Sequence, residues 1–220
     1  MNFFQQGRAG INFKFNFLFR SFGKRPFKLL DVGAGNNSAS RIISVFPQCE
    51  YYGLDLDRNY NNSDADFKLM KGFYELDLTK LNYDSIPDNF FDGIWMAHVI
   101  EHLHNGDHVV PALVKKMAPG GYFYIEFPGK KSTTLPSMYG TLNFKDDPTH
   151  VRLYSWQELK IIFEQNGCEV LKCGIRRNWF YIAAIPLRIC ISMIKNKGRV
   201  EGNVFWDLMG FAEYLWVRKK

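Results

Sequence analysis

Apolar and polar positions along the chain fall into short runs separated by glycine, proline and asparagine. Residues 28–32 (Lys-Leu-Leu-Asp-Val) form an apolar run that stops at Gly33-Ala-Gly35-Asn-Asn37. That is the pattern of a strand buried in a parallel sheet. Residues 38–46 follow with helical spacing, with Ser38 or Asn37 as N-cap and Pro47 as the stop. A second strand is predicted at 50–55. A third, less regular one is predicted from 66–71 and the stretch to Leu78. Residues 90–97 read as a fourth strand, with a helix near 99–103. A helix at 109–117 stops at Pro119-Gly-Gly121, and 122–127 make a fifth strand. Ser155-Trp-Gln-Glu158 has the form of a capping box, with Leu159, Ile162 and Phe163 as the apolar face behind it and Gly167 as the stop. Residues 169–173 and 212–218 look like two closing strands. Strands alternating with helices mean an α/β fold with a mainly parallel sheet.

Two stretches fit this rhythm less well. The first 26 residues are basic and aromatic, with Phe3, Phe4, Phe13, Phe15, Phe17 and Phe19. Their alternation over 11–19 allows an edge strand. Residues 179–194 are mostly apolar but are broken by Pro186 and Arg188, too short and too interrupted for a spanning helix. A cover over a pocket, or core, is the first expectation there. A helix lying on a membrane surface and a dimer face are the others. The expected organisation is a basic arm over 1–26 and one domain over 27–220, with 179–208 a helical cover within it.

The 220 residues, 46% hydrophobic and 23% charged, have globular composition, which excludes disordered and repeat architectures. Four cysteines without a C-x-x-C pair, and no secretory leader, are expected to be free thiols in the cytoplasm. The net charge of +6 hides an uneven spread: residues 31–171 are net −7, between two basic ends. An acidic body argues against a nucleic-acid partner. The basic, apolar ends keep a peripheral membrane contact open.

The tip of the first strand carries the chemistry, because ligands of open α/β sheets bind beyond the carboxyl ends of the strands. Gly33 and Gly35 let backbone approach a ligand. Asp55 ends the second strand 24 residues after Asp31, a spacing that suits an acid holding a ribose diol. A dinucleotide fingerprint needs a third glycine where Ser38 stands. Asp31 would repel a pyrophosphate, at a cost of about 1–4 kcal/mol depending on the local dielectric. It would attract a cationic cofactor. S-adenosylmethionine carries a sulfonium and an ammonium and no phosphate, so the sign of Asp31 favours it over NAD.

Together these runs resemble the class I S-adenosylmethionine-dependent methyltransferases of the small-molecule and glycan type. Leu29-Leu-Asp-Val-Gly-Ala-Gly35 resembles the family's first motif and Tyr52-Gly-Leu-Asp55 its second. Asp77-Leu78, the run from Phe91 to Leu103, and Leu113 to Gly121 are similar to the next three. The resemblance implies a Rossmann-like three-layer α/β/α sandwich around a seven-stranded, mainly parallel sheet with the last strand antiparallel. It implies that Asp31, Gly33, Ala34 and Gly35 surround the methionine part. Asp55 would hold the ribose, Leu56 would pack on adenine, Asp77 and Leu78 would meet the adenine edge, and Ala97 and His98 would lie near the methyl. Asn37 stands where the family often has glycine. Asparagine tolerates left-handed backbone, so the turn is expected to survive.

His98-Val-Ile-Glu-His102 matches the H-x-x-E-H form of certain zinc proteases, but it follows a strand directly rather than lying on a long helix. In ubiquinone-type O-methyltransferases, which this stretch resembles, the Glu-His pair and the residue three earlier bind a divalent ion. Those positions are Glu101, His102 and His98 here. No metal is expected. On the acceptor side, Asp146, Asp147 and His150 are the titratable residues after strand five, and His150 is the candidate base for a hydroxyl. The Asp-Asp-Pro-Thr-His-Val-Arg run over 146–152 resembles methyltransferases of glycan and surface-polysaccharide synthesis. The Asn/Asp-Pro-Pro-Tyr/Phe motif of base-methylating enzymes does not follow strand four. The expected function is methylation of a hydroxyl on a small molecule, sugar or lipid-linked saccharide. A homodimer stays open. Two alternatives also stand: a silent methyltransferase-like module at a membrane, and a NAD or nucleotide-sugar enzyme.

Overall fold

The computed structural model describes residues 12–220. Phe3, Phe4 and Arg8 of the expected arm lie outside the described residues. The chain runs α1 (Phe13–Phe22), β1 (Phe27–Val32), α2 (Ser38–Val45), β2 (Cys49–Asp55), α3 (Asp64–Leu69), β3 (Gly72–Glu75), β4 (Phe91–Ala97), α4 (Gly106–Lys116) and β5 (Met117–Pro128). It continues through α5 (Trp156–Gln165), β6 (Cys168–Ile175), α6 (Trp179–Ala183), α7 (Ile185–Lys195), α8 (Trp206–Met209) and β7 (Ala212–Lys219). The sheet order is β3-β2-β1-β4-β5-β7-β6. β1 pairs in parallel with β2 and β4, as do β2 with β3 and β4 with β5. β7 runs antiparallel to both its neighbours, β5 and β6. The expected Rossmann-like sandwich is therefore present. The turn from β1 to α2 sits where the strand order reverses, the usual ligand crevice of such sheets.

The core divides across the sheet. Leu30, Ile94 and Phe123 pack with α4 and α5 through Leu113 and Phe163. Their immediate neighbours Leu29, Trp95 and Tyr124 pack with α1 and α2 through Phe17, Phe22 and Ile42. Adjacent strand residues point to opposite faces, so the two clusters are the two filled sides of one sheet. The four cysteines are free thiols.

Three local expectations are corrected. Residues 13–22 form a helix, not an edge strand. The Asn12 side chain accepts from the backbone N–H groups of Lys14 and Phe15 and starts it. Phe13 and Phe17, one turn apart, then meet Tyr214, and Phe17 also meets Tyr124 and Trp216. Residues 64–69, which overlap the start of the third strand expected from 66, are helix α3, and only 72–75 pair in the sheet. Ser63 and Asp66 cap that helix reciprocally, the pattern of a capping box one turn earlier than any apolar run reveals. The helix expected near 99–103 is a single 3₁₀ turn, Ile100–His102. At α5, Ser155 accepts from the Glu158 N–H as expected, but the Glu158 carboxylate turns to Arg152 at 2.7 Å.

Candidate cofactor and acceptor site

Two cavities open at the carboxyl ends of β1, β2 and β4 and share Gly33, Asn36 and Ala97. The first, about 390 Å³, is lined by Asp31, Gly35, Ser38, Asn12, Lys14 and Arg41 among others. The second, about 610 Å³, includes Asp55, Leu56, Asp77, Leu78, His98 and His102 in its wall. Nearly all the residues expected around a cofactor therefore line one or other of two adjacent cavities. Ala34 is the exception. It is fully buried, and its role is to fill: its backbone N–H bonds the Leu54 carbonyl at 3.1 Å and its carbonyl accepts from Asn62.

The turn that joins the two cavities is built from backbone. Gly33 has φ +81°, and a Cβ there would collide with Val99. Asn36 and Asn37 take φ 54° and 56°, so asparagine does supply the left-handed geometry that glycine would otherwise give. Asn37 caps α2 by position, without a side-chain hydrogen bond.

Asp31 is 2% exposed and accepts from the hydroxyls of Ser38 and, at 2.6 Å, Tyr51. Burial pushes its carboxyl up to about 6, with those bonds and the cations Lys14 and Arg41 pulling the other way. Desolvation outweighs its partners, so the site holds a buried acid that a bound cation would stabilise. Burial also raises the half-buried Asp55. Beside it Leu56 is 69% exposed, an apolar platform at the cavity wall. Asp77 caps the 3₁₀ turn Leu78–Lys80 by accepting from Thr79, which lowers its pKa. Asp55, Asp57, Asp77 and Asp147 line the second cavity, and no Lys or Arg is among its described lining residues. This donor set fits a cationic, diol-bearing adenosyl group and repels a phosphate.

His98 follows β4 directly, with φ +58°. Its two ring nitrogens meet Glu101 at 3.3 Å and Glu126 at 3.0 Å. Burial opposes its charge, but those two carboxylates raise its pKa. An imidazole engaged on both sides is a strut rather than a proton carrier. Glu126 is fully buried and also takes Arg176 at 2.8 Å, Lys14 at 3.0 Å and the Tyr124 hydroxyl at 2.6 Å. Burial would raise Glu126, but Arg176 above all, then Lys14 and His98, holds it well below the usual carboxylate range. Arg176 is in turn bidentate to Asp207.

Glu101, His102 and His150 bring one donor atom each within 4.8 Å of one another. The third member of that cluster is His150 rather than His98, although His98 meets the same Glu101 Oε1 at 3.3 Å. The His150 Nδ1 lies 2.6 Å from the Phe144 carbonyl. That contact requires a proton on Nδ1 and leaves the Nε2 lone pair open toward Glu101 and Asp147, each 3.9 Å away. Glu101 is 1% exposed, and its Oε2 has no hydrogen-bond partner among the described residues. His150 stands behind the wall, with its neighbours His102, Asp147 and Thr149 lining the cavity. Asp146 is spent on the backbone N–H groups of Leu142, Asn143 and Met138. None of the residues lining the two cavities comes from 179–208.

The sequence matches the methyltransferase domain family over residues 6–172. The chain belongs to that family. Its class I members use S-adenosylmethionine, and the site described above fits that cofactor. The chain is 25% identical over 142 residues to the uncharacterized methyltransferase YcgJ of Bacillus subtilis (strain 168), covering 63% of this chain and 56% of that protein. In fold it is similar to a SAM-dependent methyltransferase from Archaeoglobus fulgidus, with a TM-score of 0.59 and 20% identity, over 98% of this chain and 94% of that one. It is also similar to phosphoethanolamine N-methyltransferase 2 of Haemonchus contortus in complex with S-adenosyl-L-methionine. There the TM-score is 0.62 at 17% identity, over 93% of this chain and 51% of that one.

Several residues of this methyltransferase domain escape sequence reasoning. Asn12 and Lys14 reach the first cavity only because α1 folds back on the sheet. Tyr51 reaches Asp31 across neighbouring strands. Glu126 did leave a signal, a lone acid inside the apolar run 122–127, since a buried charge demands partners.

Proposed function

We propose that the chain transfers a methyl group from S-adenosylmethionine to a hydroxyl of a small molecule, sugar or lipid-linked saccharide. The observation that carries this reading is the buried Asp31 carboxylate in a cavity that shares Gly33, Asn36 and Ala97 with the one bounded by Asp55, Leu56 and Asp77. S-adenosylmethionine supplies a methyl already activated on a sulfonium. The protein's work is to place both partners in line and to receive one proton. Asp31 takes the ammonium, with Arg41 across the same cavity available to the carboxylate. Gly33 and Gly35 give close backbone approach. Asp55 would accept from the ribose hydroxyls, Leu56 and Leu78 would lie beside the adenine, and Asp77 would accept from its amino group. Ala97 and His98 wall the space near the methyl, with His98 held rigid by Glu101 and Glu126. The acceptor enters past His102, Asp147 and Thr149. His150, with Nδ1–H given to Phe144, is the base for the hydroxyl proton on Nε2, which requires the acceptor to reach past His102, Asp147 and Thr149 to the buried ring behind them, and Glu101 would stabilise the imidazolium.

The test is release of S-adenosylhomocysteine with a panel of hydroxylated acceptors. Turnover with one of them, reduced about 100-fold or more in His150→Gln while cofactor affinity is kept, supports the reading. Cofactor binding without turnover on any of the panel supports the silent module instead. A second reading is favoured by the unpartnered Glu101 Oε2 and the open Nε2 of His150. Glu101, His102 and His150 would hold a divalent cation, which would polarise the acceptor hydroxyl. Loss of turnover in chelator, restored by Mg²⁺ or Mn²⁺, supports it. Indifference to chelator leaves His150 as the base.

A further inference from the structure

Helix α7 is amphipathic in the reverse sense. Arg188 and Ser192 face the protein. Arg188 donates to the carbonyls of Val204 and Asn203 at 2.9 and 3.0 Å. One turn on, Ser192 is buried and accepts from the Glu201 N–H at 2.9 Å, and Asn196 bonds back to Ser192. The positions i, i+4 and i+8 are thus consumed inward. The apolar stripe points to solvent: Leu187 is 63% exposed, Ile191 42% and Ile194 82%. Trp179 and Phe180 of the adjoining α6 are 75% and 55% exposed. A surface helix normally buries its apolar face, and a contiguous exposed apolar patch marks an interaction surface.

Charge selects the partner. Of the basic residues in this region, Arg176 is neutralised by Glu126 and Asp207 and Arg188 is turned inward. Lys195, Lys197 and Arg199 follow the apolar stripe directly and are exposed. A second copy packed on this face about a two-fold axis would set the same basic residues against themselves. An anionic lipid surface meets both features at once, taking the apolar stripe into the headgroup boundary and pairing with the basic end. Among the described residues no helix is long and apolar enough to cross a membrane, so the contact is one of lying on the bilayer. We infer that α6 and α7 form a docking face for a negatively charged lipid bilayer. None of the described cavity-lining residues belongs to this face, so it acts independently of cofactor.

The test is flotation of the full chain with phosphatidylcholine vesicles, alone or with roughly one-third phosphatidylglycerol, at about 0.15 M salt. The expected result is binding to the anionic vesicles only, weakened by added salt. The exposed triple variant Leu187→Asp, Ile191→Asp, Ile194→Asp should lose binding with an unchanged circular dichroism spectrum and melting temperature. Lys195→Glu with Lys197→Glu should bind anionic vesicles roughly tenfold or more weakly. Three results would overturn the inference: no binding by the wild type, equal binding to neutral and anionic vesicles, or a dimer by light scattering that the triple variant breaks.

Discussion

Asp31 holds a charge that the folded chain alone does not fully satisfy. Its pKa of about 6 lies above the ordinary 3.8. Its contribution to stability is therefore full below 3.8, declines as pH rises from there to 6, and above 6 stands as a cost of about 3 kcal/mol. Asp31→Asn is expected to be at least as stable as the wild type without ligand at pH 8, by urea unfolding, while binding S-adenosylmethionine 10-fold or more weakly. Loss of stability together with unchanged affinity would make Asp31 a structural residue. The same carboxyl sets a pH profile for binding. An ammonium partner needs the ionised form, so affinity should fall roughly tenfold per unit as pH drops below about 6. A flat profile between pH 5 and 8 would separate the cofactor from Asp31. The sequence already carried the sign of this charge and its place at the strand tip. It did not carry the burial or the bond from Tyr51, because both depend on strand pairing across twenty residues. Asn37 was legible for a simpler reason: the left-handed turn is a property of a single residue.

At the scale of elements, legibility followed how local each cause is. The strands with continuous apolar runs, β1, β2 and β4, appear within one residue of their expected bounds, because burial on both faces writes itself into composition. Helix α3 was read as strand because six residues are too few to show a period, and its decisive signal was the Ser63–Asp66 cap. Burial would raise the Asp66 carboxyl, but bonds from Ser40 and Ser63 hold it down at about 2. Ser63→Ala is expected to cost about 1 kcal/mol in urea unfolding. No measurable loss would mean that α3 is held by packing alone. The sequence of α1 allows an edge strand because phenylalanine at every second position satisfies a strand and also, at Phe13 and Phe17, one helical face. What decides for helix is the sheet surface of Tyr124, Tyr214 and Trp216, supplied by β5 and β7 from distant parts of the chain. Phe17→Ala removes that anchor and is expected to destabilise by about 3 kcal/mol. It should also weaken cofactor binding, since α1 carries Asn12 and Lys14 to the first cavity. Unchanged affinity in the folded variant would show that α1 covers the site without shaping it.

Across the whole molecule, one buried charge network ties the site to the rest of the fold. Glu126 on β5 joins Lys14 of α1, His98 beyond β4 and Arg176 beyond β6, and Arg176 passes the charge to Asp207 on α8. Removing one member of such a cluster leaves its partner buried and unpaired. Arg176→Ala is therefore expected to cost about 3–5 kcal/mol by chemical unfolding. A loss below about 1 kcal/mol would mean that water or rearrangement replaces it. The reversed strand order at β1 and β4 opens the crevice in which the two cavities lie side by side, and that they hold one adenosyl ligand is the central claim. The most direct test is calorimetric titration of the full chain with S-adenosylmethionine and S-adenosylhomocysteine, with NAD as control, repeated on Asp55→Ala. The account predicts binding of both adenosyl ligands, none of NAD, and a loss of roughly 100-fold in affinity when the carboxylate that accepts from the ribose is removed. Binding of NAD in place of the adenosyl ligands, or affinity unmoved by Asp55→Ala, would contradict it.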